Sequence, residues 1–230
     1  MSLAGKGAVA IWHDIAPEGR AEFYKWHGRE HMPERAGIAG FLRGRRYVAV
    51  DGTPEYFNLY ETESPSTLTG PDYLARLNNP TPWTVATVRH FHGVARSLCA
   101  VAASFGEGQG GLIATFRYAV DDTRAQSHRQ RMADEVLPGF AQLPGVAGCH
   151  LLIADEAASA VETVEKKVRA EKNLIPCWIV LIESWDDFET FKTLCRDIAQ
   201  DPVFVDATSA PAVSVYRLQN SRSKFPWSAA

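Results

Sequence analysis

The segment best suited to acid–base chemistry is residues 26–35, which reads Trp-His-Gly-Arg-Glu-His-Met-Pro-Glu-Arg. His27 and His31 are four residues apart, so on a helix they would share one face. A partly buried imidazole can have a shifted pKa, and a neighbouring carboxylate can fix its tautomer, which suits a general acid or base. We therefore take His31 and His27 as candidate catalytic residues, with Glu30 or Asp14 as the supporting carboxylate.

The two histidines also allow other interpretations. A histidine on an otherwise apolar helical face is often a core residue whose ring nitrogens are satisfied. With Glu30 they match H-x-x-E-H, a zinc peptidase pattern in which the histidines hold the metal and the glutamate activates water. A third ligand would be needed, and the candidate, Glu107, lies in a glycine-rich stretch. We expect no metal and no organic cofactor, and keep a metal- or haem-dependent site as the less favoured alternative.

Further polar and aromatic residues are candidates for holding a substrate. Arg45 could pair with an anionic group, although arginines in strands often pair with a nearby glutamate instead. Trp83 could cap a cavity, although the Asn79-Pro80 pair before it is first of all a helix terminator. The candidate substrate-binding residues are Trp12, Arg45, Tyr47, Asn58, Tyr60 and Trp83.

The elements that must position these residues occur twice along the chain. An offset of 105 places Glu30-His31-Met32-Pro33 over Glu135-Val136-Leu137-Pro138, and an offset of 122 places Leu59-Tyr60-Glu61 over Leu181-Ile182-Glu183. Two offsets that each hold over tens of residues indicate an internal repeat. We expect the first repeat over residues 1–104, a glycine-rich linker over 105–111, and the second repeat over 112–230 with an insertion at about 155–175.

Each repeat is predicted to have the element order βαββαβ. In the first, we predict strands over 8–15, 41–51, 55–61 and within 91–102, and helices over 16–32 and 66–77. In the second, we predict strands over 112–120, 146–154, 177–184 and 213–218, and helices over 125–137 and 187–200. Pro33 should end the first helix at Met32, because proline disfavours helical geometry in the preceding residue. This order is typical of the ferredoxin-like fold, an antiparallel sheet with both helices on one face.

Both faces of each sheet are apolar, so the faces without helices are expected to pack on each other and form an intramolecular α+β barrel. The apolar stripe Ala147, Cys149, Leu151 and Ile153 should lie under the helices, and His13 should point toward them as well. If no bulge shifts the alternation, the space between the sheets holds Trp12, Asp14, Arg43, Arg45, Tyr47, Tyr56, Asn58, Tyr60, Trp178, Val180 and Ile182.

The two repeats differ at the candidate site. Met132 and Val136 occupy the positions of His27 and His31, so function is expected in the first repeat, with the second as a packing partner. The insertion is rich in Glu, Lys and Arg over residues 161–172, and we expect an exposed helical excursion with a solvated face.

Composition excludes several classes of function. Hydrophobic content of 46% and charged content of 22% are ordinary for a soluble globular protein. A net charge of −3 and a pI near 6.2 argue against nucleic acid or an anionic membrane as partner. No apolar run approaches the roughly 20 residues that span a bilayer, and there is no apolar signal-peptide region. Four widely spaced cysteines without a C-x-x-C pair favour a reduced, cytoplasmic protein.

Four segments resemble proteins of the dimeric α+β barrel superfamily, most closely its EthD-like and related uncharacterised branches. They are Glu22-Phe23 through Trp26, residues 30–35, Gly40-Phe41 and Arg46-Tyr47. The resemblance covers nearly all of the first repeat and, more faintly, the second. It implies two ferredoxin-like units joined sheet to sheet around a small-molecule cavity. Members include cofactor-free monooxygenases, isomerases, polyketide cyclases and haem enzymes. The family histidine corresponds to His31, and the aromatic residue before it to Trp26.

These observations favour a small-molecule enzyme that acts on a hydrophobic or aromatic metabolite without an organic cofactor. Its class stays open among lyase, isomerase and monooxygenase, with His31 as acid or base and Arg45, Tyr47 and Tyr60 orienting the substrate. A non-catalytic small-molecule-binding barrel and a purely structural barrel remain alternatives. The expected partner is a small molecule, and a further homodimer stays open.

Overall fold

Eight antiparallel strands close into one barrel in the described residues, 3–169 and 173–224, of the computed structural model. The strands are β1 (Gly7–Ile15), β2 (Phe41–Asp51), β3 (Tyr56–Thr62), β4 (Phe91–Phe105), β5 (Leu112–Tyr118), β6 (Val146–Ala154), β7 (Trp178–Ser184) and β8 (Ala212–Ser223). Around the barrel they follow the order β1-β3-β2-β8-β5-β7-β6-β4. The α+β class and the barrel predicted from the sequence are thus confirmed.

Each half of the chain contributes four neighbouring strands to this barrel. The first half supplies β4-β1-β3-β2 and the second supplies β6-β7-β5-β8. Hydrogen bonds join the two sets at both seams, where β2 pairs with β8 and β4 pairs with β6. The two sets of strands therefore meet edge to edge, and closure satisfies backbone groups that an open sheet would leave unpaired.

The helices cover the outside of the barrel. They are α1 (Arg20–Trp26), α2 (Met32–Gly37), α3 (Pro71–Asn78), α4 (Pro82–Val88), α5 (Asp122–Arg131), α6 (Leu137–Phe140), α7 (Glu156–Ala160), α8 (Val164–Val168) and α9 (Phe188–Ala199). Sequence patterns missed α4, although Thr81 caps it by accepting the Thr84 N–H and Pro82 occupies its first turn. None of the helices in the described segments has the length and apolar content needed to cross a membrane.

A π-helical turn, His27–His31, joins α1 to α2. In it, the Met32 N–H donates to the carbonyl of His27, five residues earlier. The prediction that the helix ends at Met32 was wrong, because Pro33 lies in the first turn of α2, where its missing N–H costs little. The second half has the same turn at Met132–Val136, with Pro138 following. The turn is thus a feature of the fold and does not by itself mark a site.

Pairing between β2 and β3 corrects the predicted inner face of the barrel. Arg45 lies opposite Leu59 and Tyr47 opposite Phe57, so these residues share the inner face. The intervening side chains face the helices, because neighbouring strand residues point to opposite sides. The residues wrongly placed inside are Tyr56, Asn58 and Tyr60 in the first half and Trp178, Val180 and Ile182 in the second. Trp12 faces inward as expected.

Two arginines and two glutamates are buried together inside the barrel. Arg43 Nη2 lies 2.6 Å from Glu61 Oε2, and Arg45 Nε lies 3.0 Å from Glu61 Oε1. Arg45 Nη1 also donates to Glu183 Oε2 at 2.8 Å. Arg45 thus pairs with one glutamate from each half of the chain. This agrees with the alternative that the arginine pairs with nearby glutamates and not with a substrate.

The insertion packs on the first half of the chain. Glu165 of α8 accepts a hydrogen bond of 2.6 Å from Arg35 of α2, and both side chains are buried. Leu174 forms a parallel bridge with Ala95 of β4. The predicted solvated face is therefore confirmed for Val164 and Lys167 of α8 but wrong for Glu165, because the sequence showed the charges of this helix but not their partners. Residues 170–172 of that prediction lie outside the described residues.

Candidate functional site

A polar cluster lies between the first sheet and the helical segment that contains the π-helical turn. We call it the histidine cluster; it consists of His13, His27, His31, Asn58 and Tyr60. β1 and β3 present His13, Asn58 and Tyr60 on their helix-facing side, while the π-helical turn presents His27 and His31. All five side chains are buried. The fold thus brings both predicted catalytic histidines to the same place as two predicted substrate-binding residues.

His27 and His31 face each other within this cluster. Their ring centroids are 5.5 Å apart, and His31 also packs on the ring of Trp26 at 4.3 Å. His27 Nε2 shares a hydrogen bond of 3.1 Å with the Tyr60 hydroxyl. The Nδ1 atoms of both histidines are buried and have no hydrogen-bond partner among the described residues. Buried polar atoms without partners are rare and costly, so these two Nδ1 atoms make the cluster a candidate site.

Asn58 fixes the tautomer of His13. The Asn58 amide nitrogen lies 2.9 Å from His13 Nε2 and donates to it, while His13 Nδ1 lies 3.4 Å from the Asp14 carbonyl oxygen. A carbonyl only accepts, so the ring proton belongs on Nδ1 and Nε2 carries the lone pair. The Asn58 Oδ1 atom then remains buried without a partner in the described residues.

Burial keeps the three histidines uncharged at neutral pH. Desolvation lowers the pKa of His13 to about 3, although the hydrogen bond to the Asp14 carbonyl acts in the opposite direction. It also holds the pKa of His27 and of His31 well below the ordinary range, and nearby arginine charges add to the effect. Neutral imidazoles have a lone pair available, but the lowered pKa makes them weak bases, so a proton transfer to them needs a compensating negative charge on the substrate.

The carboxylates expected to support the histidines make other contacts. Glu30 accepts a hydrogen bond of 2.6 Å from Thr81, at the start of α4. Asp14 accepts the backbone N–H of Glu55 at 2.6 Å. Both carboxylates therefore serve the loops around the cluster, and any acid–base role of the histidines has to come from the imidazoles and Tyr60.

The remaining predicted substrate-binding residues are not part of the histidine cluster. Trp12, Arg45 and Tyr47 line the barrel interior, on the opposite face of the same sheet. Trp83 packs beside the aromatic residues around Trp26 and donates its indole N–H to Glu22 at 2.9 Å. The predicted set is therefore split between the two faces of the sheet.

Two arginines near the cluster were not predicted as site residues. Arg46 stacks over the Phe23 and Tyr24 rings and donates from Nε to the Gln219 side chain at 2.8 Å. Arg169, just after α8, is only 9% exposed, and its charge lowers the pKa of His13 and His31. Alternation along β2 could have shown that Arg46 faces away from Arg45. No pattern could have brought Arg169 across from the insertion.

Solved structures share this fold over nearly their whole length. An anthrone oxidase-like protein has a TM-score of 0.63 at 14% identity, covering 100% of this chain and 99% of that one. The chain has the dimeric α+β barrel fold. A candidate monooxygenase from Fusobacterium nucleatum subsp. nucleatum has a TM-score of 0.58 at 7% identity, covering 96% of both chains. A candidate chlorite dismutase has a TM-score of 0.57 at 9% identity, covering 94% of this chain and 96% of that one. No protein-family model and no curated protein matches the sequence.

The second half of the dimeric α+β barrel carries its own histidine–tyrosine pair. His128 Nε2 shares a hydrogen bond of 3.1 Å with the Tyr118 hydroxyl, and His128 Nδ1 lies 3.6 Å from Asp206 Oδ2. Burial lowers the pKa of His128, while Asp206 opposes that shift. The comparison of the two repeats did not predict this pair, and the role of the second half as a packing partner stays a prediction. Its pair differs from the first because a carboxylate faces the second ring nitrogen.

A haem or a tightly held metal does not fit the histidine cluster of this α+β barrel. Within the described segments, no group of three His, Cys, Asp or Glu side chains is arranged to hold a metal ion. His27 Nε2 is occupied by Tyr60, and the rings of Phe23 and Trp26 pack against the two histidines. A haem would have to displace this aromatic packing.

Five of the cavities on the described residues have walls that include no residue of the histidine cluster. One of about 250 Å³ lies over the seam of β4 and β6, with Leu68, Leu98 and Ile153 in its wall. None of the five cavities found on the described residues is bordered by His27 or His31. Because all five side chains of the cluster are buried, a ligand can reach it only if a covering element moves.

Replacing Tyr60 with Phe is expected to lower the free energy of unfolding by about 1–3 kcal/mol, because His27 Nε2 would lose its partner in a buried place. Urea denaturation at neutral pH measures the change. The matched control is Tyr24→Phe. Tyr24 is partly exposed, and its hydroxyl forms a hydrogen bond with that of Tyr56, so its loss should matter less. An equal loss of unfolding free energy in both variants would show that the Tyr60–His27 hydrogen bond stabilises the fold no more than the Tyr24–Tyr56 hydrogen bond does.

Proposed function

We propose that the histidine cluster is the reactive centre of a small-molecule enzyme that performs acid–base chemistry on a hydrophobic or aromatic metabolite without an organic cofactor. One observation carries this proposal: two neutral, buried imidazoles face each other with unpartnered Nδ1 atoms. Strongly perturbed titratable groups concentrate at functional sites, because catalysis requires the shifts that burial produces.

The surroundings support an aromatic substrate. Trp26, Phe23 and Phe91 pack their rings around His13, His27 and His31. Flat apolar walls with a few polar atoms are typical of small-molecule sites. Such walls would hold a planar substrate and exclude water from the proton transfer.

In the proposed reaction, His27 or His31 removes a proton from an activated C–H bond of the substrate. Tyr60 would hold His27 in position through its bond to Nε2. In an isomerase, the proton would return at another carbon; in a lyase, a leaving group would depart. In a monooxygenase, the carbanion would transfer electrons to dioxygen, so that a CH2 group becomes a carbonyl and the second oxygen atom leaves as water. The likeness in fold to an anthrone oxidase-like protein makes this last reaction the first to test.

We further propose that the barrel arose by tandem duplication of one ferredoxin-like unit, with residues 1–104 bearing the site, 105–111 linking the halves, and 112–230 closing the barrel. The shared π-helical turns and the matching strand orders of the two halves support it. An EthD-like ancestry stays part of this proposal.

A non-catalytic barrel is the second candidate, and the close packing around His27 and His31 favours it. In that case the histidines would serve stability or ligand binding alone. Measurable turnover of a substrate would distinguish the enzyme from the non-catalytic barrel.

Dioxygen uptake with anthrone and related hydroxylated aromatic compounds tests the proposal. We expect turnover by the wild type and a loss of about 100-fold in His31→Ala and in His27→Ala, as for removal of a general base. His128→Ala is the matched control in the second half and should keep its rate. Product analysis by mass spectrometry would detect an isomerase or lyase reaction without uptake. Full activity in both site variants would contradict the proposal.

A further inference from the structure

A serine, a histidine and a glutamate contact one another in series near one end of the barrel. Ser104, next to the last residue of β4, lies directly opposite His150 of β6, and its Oγ atom lies 2.8 Å from His150 Nδ1. His150 Nε2 lies 3.5 Å from Oε1 of Glu183 on β7. Neighbouring Leu151 packs under the helices of the second half, so His150 points into the barrel, away from the histidine cluster. A hydroxyl, an imidazole and a carboxylate in this order are typical of a serine nucleophile with its general base.

Glu183 is held as an ionised carboxylate. Its Oε2 atom accepts hydrogen bonds from Arg45 Nη1 at 2.8 Å and from the Gly110 backbone N–H at 3.2 Å. Burial opposes its ionisation, but the hydrogen bond from His150 and the charge of Arg45 lower the pKa of Glu183 to about 2. The carboxylate is therefore charged at neutral pH, and its Oε1 atom faces the imidazole.

These contacts assign the two ring nitrogens of His150. A carboxylate only accepts hydrogen bonds, so the ring proton belongs on Nε2, which faces Glu183. Nδ1 then carries the lone pair and accepts the hydrogen bond of the Ser104 hydroxyl. His150 is thus oriented to take the proton of Ser104. The two arginines and two glutamates buried in this part of the barrel compensate each other in charge, so the negative charge on an attacked carbonyl group would balance the imidazolium.

Solvent reaches this group of residues from the side of the serine. Ser104 is partly exposed, whereas His150 and Glu183 are fully buried. The glycine-rich linker begins just beyond Ser104, and residues 107–109 within it are exposed. The barrel interior behind the histidine is filled by buried side chains, so only a small molecule can approach, and it meets the serine first.

We propose that Ser104 is a nucleophile that accepts acyl groups from small carboxylic esters, with His150 as its general base and Glu183 as the residue that positions His150. Ser104 Oγ bonds to the carbonyl carbon while its proton passes to His150 Nδ1. The proton then passes to the leaving oxygen, which departs as the alcohol and leaves an ester on Ser104. Water attacks this ester with the same proton transfers, so the carboxylic acid leaves and the serine hydroxyl is restored. This activity is separate from the acid–base chemistry proposed for the histidine cluster.

Acetylation by p-nitrophenyl acetate tests the inference, with release of p-nitrophenolate giving the rate and peptide mass spectrometry giving the modified residue. We expect the wild type to carry the acetyl group on Ser104 and Ser104→Ala to carry none at that position. His150→Gln should lower the acetylation rate of Ser104 at least about 100-fold, as for loss of a general base. The matched control is Ser97→Ala on the same strand, because the Ser97 hydroxyl donates to the Pro176 carbonyl and faces no base. This control should keep the wild-type rate.

A second comparison distinguishes positioning of the histidine from a purely structural contact. Glu183→Gln should lower the acetylation rate at least about tenfold, and Glu183→Asp, which keeps the charge, should restore part of it. Urea denaturation shows which variants are folded, and the wild-type result decides the inference without any variant. A wild type with no acetyl group on Ser104, or acetylation of Ser104 at the wild-type rate in folded His150→Gln, would overturn the inference and leave Ser104 as a structural partner of His150.

Discussion

Acidification from pH 7.5 to about 3.5 is expected to remove about 4 kcal/mol of the free energy of unfolding through His13 alone. The pKa of His13 is about 3 in the folded protein and near 6.5 in the unfolded chain. The unfolded chain therefore binds the proton first. The contribution of His13 is intact above pH 6.5 and declines as the pH falls toward the folded pKa. His27 and His31 are shifted in the same direction and add to the loss.

Urea denaturation as a function of pH measures this loss. His13→Gln is the matched variant, because a glutamine oxygen can still accept from Asn58 but does not titrate. The wild type should lose about 4 kcal/mol more than the variant between these pH values, after the shared acid response of the carboxylates cancels. Parallel curves would show that His13 is solvated and protonates normally in the folded state.

Replacing Arg45 with Met is expected to cost about 3–5 kcal/mol, because Glu61 and Glu183 would each lose a charged partner inside the barrel. Arg45 is 1% exposed, and desolvation opposes its charge while the two glutamates favour it, so its pKa is raised. Arg43 still neutralises Glu61, so Glu183 bears most of the loss. His150 Nε2 lies 3.5 Å from Glu183 Oε1 and offers a partial replacement.

The double variant Arg45→Met/Glu183→Gln tests that explanation. The double variant removes the Glu183 carboxylate, which the single variant Arg45→Met leaves without a charged partner. It should therefore recover at least about half of the lost stability. Chemical denaturation of the wild type, both single variants and the double variant completes the cycle. A double variant that is as unstable as the sum of the singles would contradict the buried-charge explanation.

Much of the fold follows from local patterns in the sequence. The second strand was predicted over residues 41–51 and the structure has it at Phe41–Asp51, because aromatic and β-branched residues end there at a Gly52 with positive φ. The barrel followed from two apolar sheet faces that each needed a partner. These signals are local or arise from simple alternation, so a single sequence contains them.

The position of the candidate site depended on a register that the sequence does not fix. Alternation along the strands, with no bulge assumed, assigned Tyr56, Asn58 and Tyr60 to the inner face together with Arg45 and Tyr47. The strands instead pair Arg45 with Leu59, and a shift of one residue moves every side chain of a strand to the other face. The histidine cluster, which contains His27, His31, Asn58 and Tyr60, thus lies under the helices. Arg45 and Tyr47 lie on the opposite face of the sheet.

Contacts between residues far apart in the sequence account for the other features that the sequence did not predict. Arg169 reaches the first half across more than a hundred residues, and only the fold brings Glu165 to Arg35. The partner of a charged residue on a short helix cannot be inferred from spacing. The charge-rich insertion was therefore taken for a solvated face.

Two tyrosines on opposite faces of the first sheet provide the most direct test of where the chemistry takes place. Tyr60 and Tyr47 are both buried, but Tyr60 contacts His27 and Tyr47 lies inside the barrel. The measurement is the initial rate of wild type, Tyr60→Phe and Tyr47→Phe on the substrate that gives the fastest turnover. A site under the helices predicts that Tyr60→Phe loses at least about tenfold in kcat while Tyr47→Phe keeps the wild-type rate. A loss in Tyr47→Phe with an unchanged Tyr60→Phe would place the chemistry inside the barrel and contradict the site described here.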